Sequence, residues 1–305
     1  MKRLLSASAI ALFCLASCGK VEREKADQVP VPPDENNILH ITWGGIAMAD
    51  PGEEKRHWSN WTINLLDGST AYGWTSDKNA TFPHNLQFEL AGIGKVKAFV
   101  VDTRFTPILR EDGSSSQSAE GSPVRKFAIL GSTTGPDGPY TTILQGEAKP
   151  NTRSEFPLPK EISTRWIKLQ IDSNWDGKGA TRLAEFEALG TLAERGVTDT
   201  ADASGVYAHE YGPIAIRQKG NEIFGCYNSG VGALRGTIYG RIMRLTWFSA
   251  PEKSIGAATL VPAHDRLYGF WYRYSDKMGS PWNAAKIGGL EKADPACRKA
   301  LYPES

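Results

Sequence analysis

His57, Trp58, Trp61, Arg104, Asn174 and Trp175 stand in turn-rich stretches and together offer flat aromatic surface and forked polar groups. Those residue types suit a ligand with an apolar face and a rim of hydroxyls, such as a sugar ring. Trp175, between Asn174 and Asp176, is the best-placed platform. Trp58 and Trp61 could equally staple the first strand to the core, and Arg104 could simply pair with Asp102.

Other chemistries find little support. The five His are scattered, with no HExxH and no CxxC, so zinc is not expected. GSTTG at 131–135 lacks the central Ser of a nucleophile elbow. GVGALRG at 230–236 has the wrong spacing for a phosphate loop. Asp172, Asn174 and Asp176 begin like a calcium loop, but position twelve is Leu183 rather than Glu. No carboxylate pair stands out for glycoside hydrolysis. The expectation is a protein without catalytic residues. A balance of 35 basic against 34 acidic residues gives no basic stripe for nucleic acid.

The elements that must position such loops read as β throughout. Leu86, Phe88 and Leu90 alternate with polar residues, as do Ile167, Leu169 and Ile171, and Ala184, Phe186 and Ala188, the last set with Glu185 and Glu187 facing away. Period two in short runs, split by Gly/Pro/Ser turns, predicts antiparallel strands over 38–190, a β-sandwich of jelly-roll type. Residues 191–204 are small and polar and read as a linker. From 205 to 305 a turn recurs about every eight residues, and Met243, Leu245 and Trp247 oppose Arg244 and Thr246. This predicts an antiparallel meander curled into a small β-barrel, with Gly225, Gly236 and Gly240 allowing the curvature. Tyr207, Tyr211, Trp247, Trp271 and Trp282 read as its core. The fold class is therefore all-β, in two units.

The N-terminus resembles a bacterial lipoprotein signal. Lys2 and Arg3 precede an apolar run, and Leu15-Ala16-Ser17-Cys18 matches the lipobox. The resemblance implies cleavage after residue 17, acyl chains on Cys18, and a charged, Pro-rich tether over 18–37. Gly19 after the Cys fits sorting to the outer membrane. With Cys14 removed and Cys18 acylated, Cys226 and Cys297 are left over, as one disulfide or as two thiols.

The segments HWSNWTINLLDGSTAYGWTS and FPHNLQFELAG, then VRKFAILGSTTGPDGPYTTI, TRWIKLQI and LAEFEALG, resemble in order and spacing a discoidin or coagulation factor 5/8 type C domain. That family belongs to the galactose-binding-like fold and overlaps carbohydrate-binding modules. The resemblance spans 38–190, interrupted by a long insertion at 105–124. It implies a binding fold for glycans or other surface ligands. It also implies a structural Ca²⁺ at Asp67 and Glu185, with Thr70 contributing oxygen. The resulting expectation is a lipid-anchored envelope protein that binds a carbohydrate without acting on it. A structural or assembly subunit docking onto other envelope proteins is the alternative.

Overall fold

A computed structural model describes residues 36–48, 60–109, 115–116, 120–193, 201–210, 212–263, 265–273 and 280–304. The signal segment, Cys18, His57, Trp58 and Tyr211 lie outside the described residues.

The first unit contains β1 (Ile46–Ala47), β2 (Trp74–Thr75), β3 (His84–Asp102), β4 (Ile108–Leu109), β5 (Ser115–Ser116) and β6 (Ser122–Pro123). It continues with β7 (Lys126–Ser132), β8 (Thr141–Glu147), β9 (Arg153–Ile171), β10 (Thr181–Leu183) and β11 (Glu185–Leu192). β3 and β9 form its spine, pairing antiparallel from His84 opposite Ile171 to Asp102 opposite Arg153. The register shifts between Glu89 and Gly94, where the pair bends. β7 joins the Trp166–Ile171 half of β9, whereas β11 joins the Gly94–Asp102 half of β3. The long pair thus passes from one layer of the sandwich to the other. Across the layers, Phe88 meets Phe186 with ring centroids at 5.1 Å, and Phe127 meets Phe156 at 5.0 Å. Each buried Phe contributes about 2–3 kcal/mol.

The alternating residues Leu86, Phe88, Leu90, Ile167, Leu169 and Ile171 are all buried. β11 departs from simple alternation. Glu185 and Glu187, which alternate with its apolar residues, are buried as well, because the turn after Asp67 covers one and Arg153 clamps the other.

The second unit is a closed barrel of eight strands. They are β12 (Gly205–Ala208), β13 (Ile214–Lys219), β14 (Glu222–Tyr227), β15 (Gly232–Tyr239), β16 (Ile242–Ser249), β17 (Ser254–Ala263), β18 (Arg266–Arg273) and, after the short β19 (Ser280–Pro281), β20 (Ala284–Gly288). β12 to β18 pair in near-sequential hairpins, and β20 closes the ring between β12 and β18. Ile214, Ile216, Leu234, Met243, Leu245 and Leu260 fill the interior. Cys226 on β14 is bonded to Cys297, which pins the helix α1 (Arg298–Leu301) against the outside of the barrel. The bridge closes a 71-residue separation, but the element it holds to the barrel is one four-residue helix. Cys297→Ser is therefore expected to cost about 2 kcal/mol, the low end for a native disulfide, as read by urea denaturation.

The two units share a core. Val261, Ala263 and Tyr268 of the barrel belong to the same apolar cluster as Leu39, Leu65 and Phe88. At the β15–β16 hairpin, Arg241 is 4% exposed and reaches the bend of β3. Its guanidinium donates to the Gly44 carbonyl at 2.7 Å and to the Glu89 carboxylate at 3.2 Å. Gly44 has φ +86°, and a Cβ there would stand 3.1 Å from that of Ala91 and 3.4 Å from Ile242. Only glycine lets the backbone turn this close to the barrel. Asn283 donates to Asn64 at 3.1 Å beside it.

Candidate functional site

The barrel docks at the bent end of the β3–β9 pair. The opposite end, marked by His84, Ile171, Asp102 and Arg153, carries the loop 172–180. Trp175 stands in that loop and is 38% exposed. A bridge between Val124 and Asn174 lays the loop against β7. The indole N–H donates to the Ala148 carbonyl at 3.1 Å, which holds the ring in place. The Arg125 guanidinium lies 4.7 Å from the ring centroid and pairs with Glu147 at 3.2 Å. An anchored indole beside a forked cation and a carboxylate can stack one face of a ring and bond its hydroxyls.

The other predicted ligand residues do not join it. Asn174 is 2% exposed and is spent inside the loop, donating to the Lys178 carbonyl at 3.0 Å and to Thr181 at 3.1 Å. It shapes the platform rather than touching a ligand. Trp61 is buried in the shared core, with the Arg266 guanidinium 5.2 Å from its ring. Arg104 forms a fork on Asp102, with contacts of 2.6 Å and 3.0 Å, which fixes the guanidinium over that carboxylate while the side chain stays half-exposed. Arg125 and Glu147 were not foreseen. Nothing local distinguishes them; the strand pairing that carries β7 and β8 past Trp175 makes them neighbours.

A second cluster forms where the Asp67 turn meets the start of β11. Gly68 and Ser69 donate their backbone N–H groups to Glu185 at 3.3 Å and 3.0 Å, and the Ser69 N–H also reaches Asp67 at 2.8 Å. Burial pushes the Asp67 carboxyl up to about 7, against the pull of hydrogen bonds from Glu185 and the Ser69 amide. Glu185 is held well above the carboxylate range, first by burial and then by the charge of Asp67. Two carboxyls desolvated side by side call for a shared proton or a cation between them. That donor chemistry suits a hard dication at Asp67 and Glu185. Thr70, in the same turn, also faces Thr106: its hydroxyl contacts that of Thr106 at 2.6 Å, and its carbonyl accepts the Thr106 N–H at 2.9 Å. Among the described residues no group of three or more His, Cys, Asp or Glu side chains is drawn together.

A trough of about 710 Å³ between β7, β8 and β9 is lined by Ser, Thr, Pro and aliphatic residues with Lys160, and offers no aromatic platform.

No family model matches the chain, and no curated protein matches it. Several solved structures are similar to part of it. CpGH89CBM32-5 from Clostridium perfringens, solved in complex with GalNAc-β-1,3-galactose, is 15% identical with a TM-score of 0.38, over 49% of this chain and 98% of that one. The family 32 carbohydrate-binding module of C. perfringens NanJ, in complex with galactose, is 15% identical with a TM-score of 0.36, over 48% and 96%. The family 32 carbohydrate-binding module of Streptococcus pneumoniae EndoD is 16% identical with a TM-score of 0.38, over 51% and 99%.

Proposed function

We propose that this chain is a lipid-anchored protein of the cell envelope, held at the outer membrane through Cys18, whose jelly-roll unit binds a carbohydrate without altering it. The observation that carries this reading is Trp175: a large indole, fastened through its N–H, exposed at the end of the sandwich away from the barrel, with Arg125 and Glu147 beside it. Sandwich loops held by a rigid sheet are where such folds place their ligands. Calcium bound by Asp67 and Glu185 belongs to the same reading, as a support for the turn that precedes β2 rather than as a reagent.

The test uses a soluble form, residues 20–305, on a glycan array with and without calcium. Trp175→Ala is expected to fold normally and to bind about thirtyfold more weakly, a loss of about 2 kcal/mol for an aromatic anchor. Silence across the array, or unchanged binding by Trp175→Ala, would overturn the jelly-roll site. For the anchor, labelled fatty acid should enter the full chain and fail to enter Cys18→Ser.

A further inference from the structure

The barrel end opposite the one that meets the jelly roll holds a cavity of about 350 Å³ at its mouth. That is the low end of the range for small-molecule sites, about 300–1,000 Å³. Its walls are Tyr227 from the end of β14, Trp247 from β16, Trp271 from β18 and Trp282 just past β19. Sequence alone marks these tryptophans as core. Trp247 and Trp282 are indeed buried, yet they bound open space rather than one another's tight packing.

The rings are set in two edge-to-face pairs. Tyr227 meets Trp282 at 5.4 Å and 85°, and Trp247 meets Trp271 at 5.5 Å and 86°. The Trp247 N–H donates to the Tyr272 carbonyl at 3.2 Å, and the Tyr227 hydroxyl to the Phe248 carbonyl at 3.0 Å. With those two polar atoms bonded to backbone, both rings offer the cavity π surface. Burial keeps Tyr227 a neutral phenol, pushing its pKa up to about 12.

The rim is polar. Glu252, in the β16–β17 turn, pairs with Arg273 at the end of β18 at 3.5 Å, and both side chains are largely exposed. His209 and Asn228 complete the opening. Burial holds His209 below its ordinary value, so at neutral pH its ring adds no charge to the rim. The carboxylate and guanidinium neutralise one another, which disfavours a charged occupant.

We infer that the barrel mouth is a second carbohydrate site, taking a neutral mono- or disaccharide unit whose ring stacks on Trp271 or Trp282 and whose hydroxyls bond Glu252, Arg273 and Asn228. Aromatic walls below and forked acceptors and donors above are what a sugar needs. The cavity volume admits a glycan end but not a chain running through it. The site lies in the barrel, outside the jelly-roll unit, and it does not depend on Trp175.

The experiment is titration of residues 20–305 carrying Trp175→Ala with galactose, glucose, mannose, fucose and N-acetylglucosamine. Tryptophan fluorescence and calorimetry report binding. One or more sugars should bind and shift the emission. Glu252→Gln and Arg273→Met, both at exposed positions that should leave folding intact, should each weaken that binding about tenfold or more. Binding untouched by either variant, or no response to any sugar or to their disaccharides, would overturn the inference. So would tight binding of tetramethylammonium in place of sugars, since four rings could also cage a cation. Because Trp175 is absent throughout, failure here leaves the jelly-roll site standing, and success does not depend on it.

Discussion

Arg241→Met should lower stability by about 3 kcal/mol and split unfolding into two transitions. The guanidinium is buried where the units meet, and it bonds Gly44 and both the side chain and the backbone of Glu89. Methionine fills a similar volume, so packing is largely kept. What is lost is the partner of one carboxylate oxygen in a place water does not reach. Breaking a buried pair by removing one member costs about 3–5 kcal/mol. The lower figure applies because Arg165 still holds the other oxygen of Glu89, at 2.7 Å. The hairpin bearing Arg241 is also the clasp between units, so weakening it lets barrel and jelly roll melt separately. A variant within 0.5 kcal/mol of the parent, melting in one step, would show that the shared apolar core alone couples the units.

Much of this architecture was legible as pattern. Ile167, Leu169 and Ile171 alternate in the sequence and are buried in the sandwich; Met243, Leu245 and Trp247 do the same in the barrel. The turn rhythm after residue 205 matches successive hairpins. What pattern could not carry is anything decided by closure. β20 closes the ring only by skipping back to β12, and that step turns Trp247, Trp271 and Trp282 into the walls of a mouth. An apolar residue on an inward strand face has the same period whether the space before it is filled or empty. The same limit applies to Glu185, whose burial looks from sequence like an outward position, and to Arg125, which reaches Trp175 only through the bridge between Val124 and Asn174. Arg104 shows the opposite case: the neighbour two residues away, Asp102, already offered it a partner, and the local pair is what forms. Distant pairing, rather than residue type, decides which cation stands beside Trp175.

The Asp67–Glu185 pair should make the calcium-free protein less stable as pH rises. A carboxyl whose folded pKa lies above its unfolded one binds the proton more tightly when folded. The folded state therefore gains nothing from this effect above its raised pKa and is favoured below it. For Asp67 the window runs from its ordinary 3.8 to about 7, and Glu185, raised in the same direction by burial and by the charge of Asp67, adds to the penalty. A shift of that size is worth about 4 kcal/mol; Asp67 keeps some contact with solvent, so about 3 kcal/mol is expected. Denaturation in urea with chelator, from pH 4 to pH 8, should show stability falling by that amount. Asp67→Asn keeps an oxygen to accept the Ser69 N–H but removes one charge from the pair. Its stability should fall by less over the same range, since Glu185 is still held up by burial but no longer by a neighbouring charge, so that at pH 8 the variant exceeds the parent. Calcium should reverse the order, raising the parent at pH 8 while leaving Asp67→Asn almost unmoved, because a dication replaces the proton only where two carboxylates face it. A parent curve that is flat or rises between pH 4 and pH 7 would mean the two acids are not desolvated together. A parent curve that falls but ignores calcium would leave the pair as a proton-sharing latch and remove calcium from the proposed function.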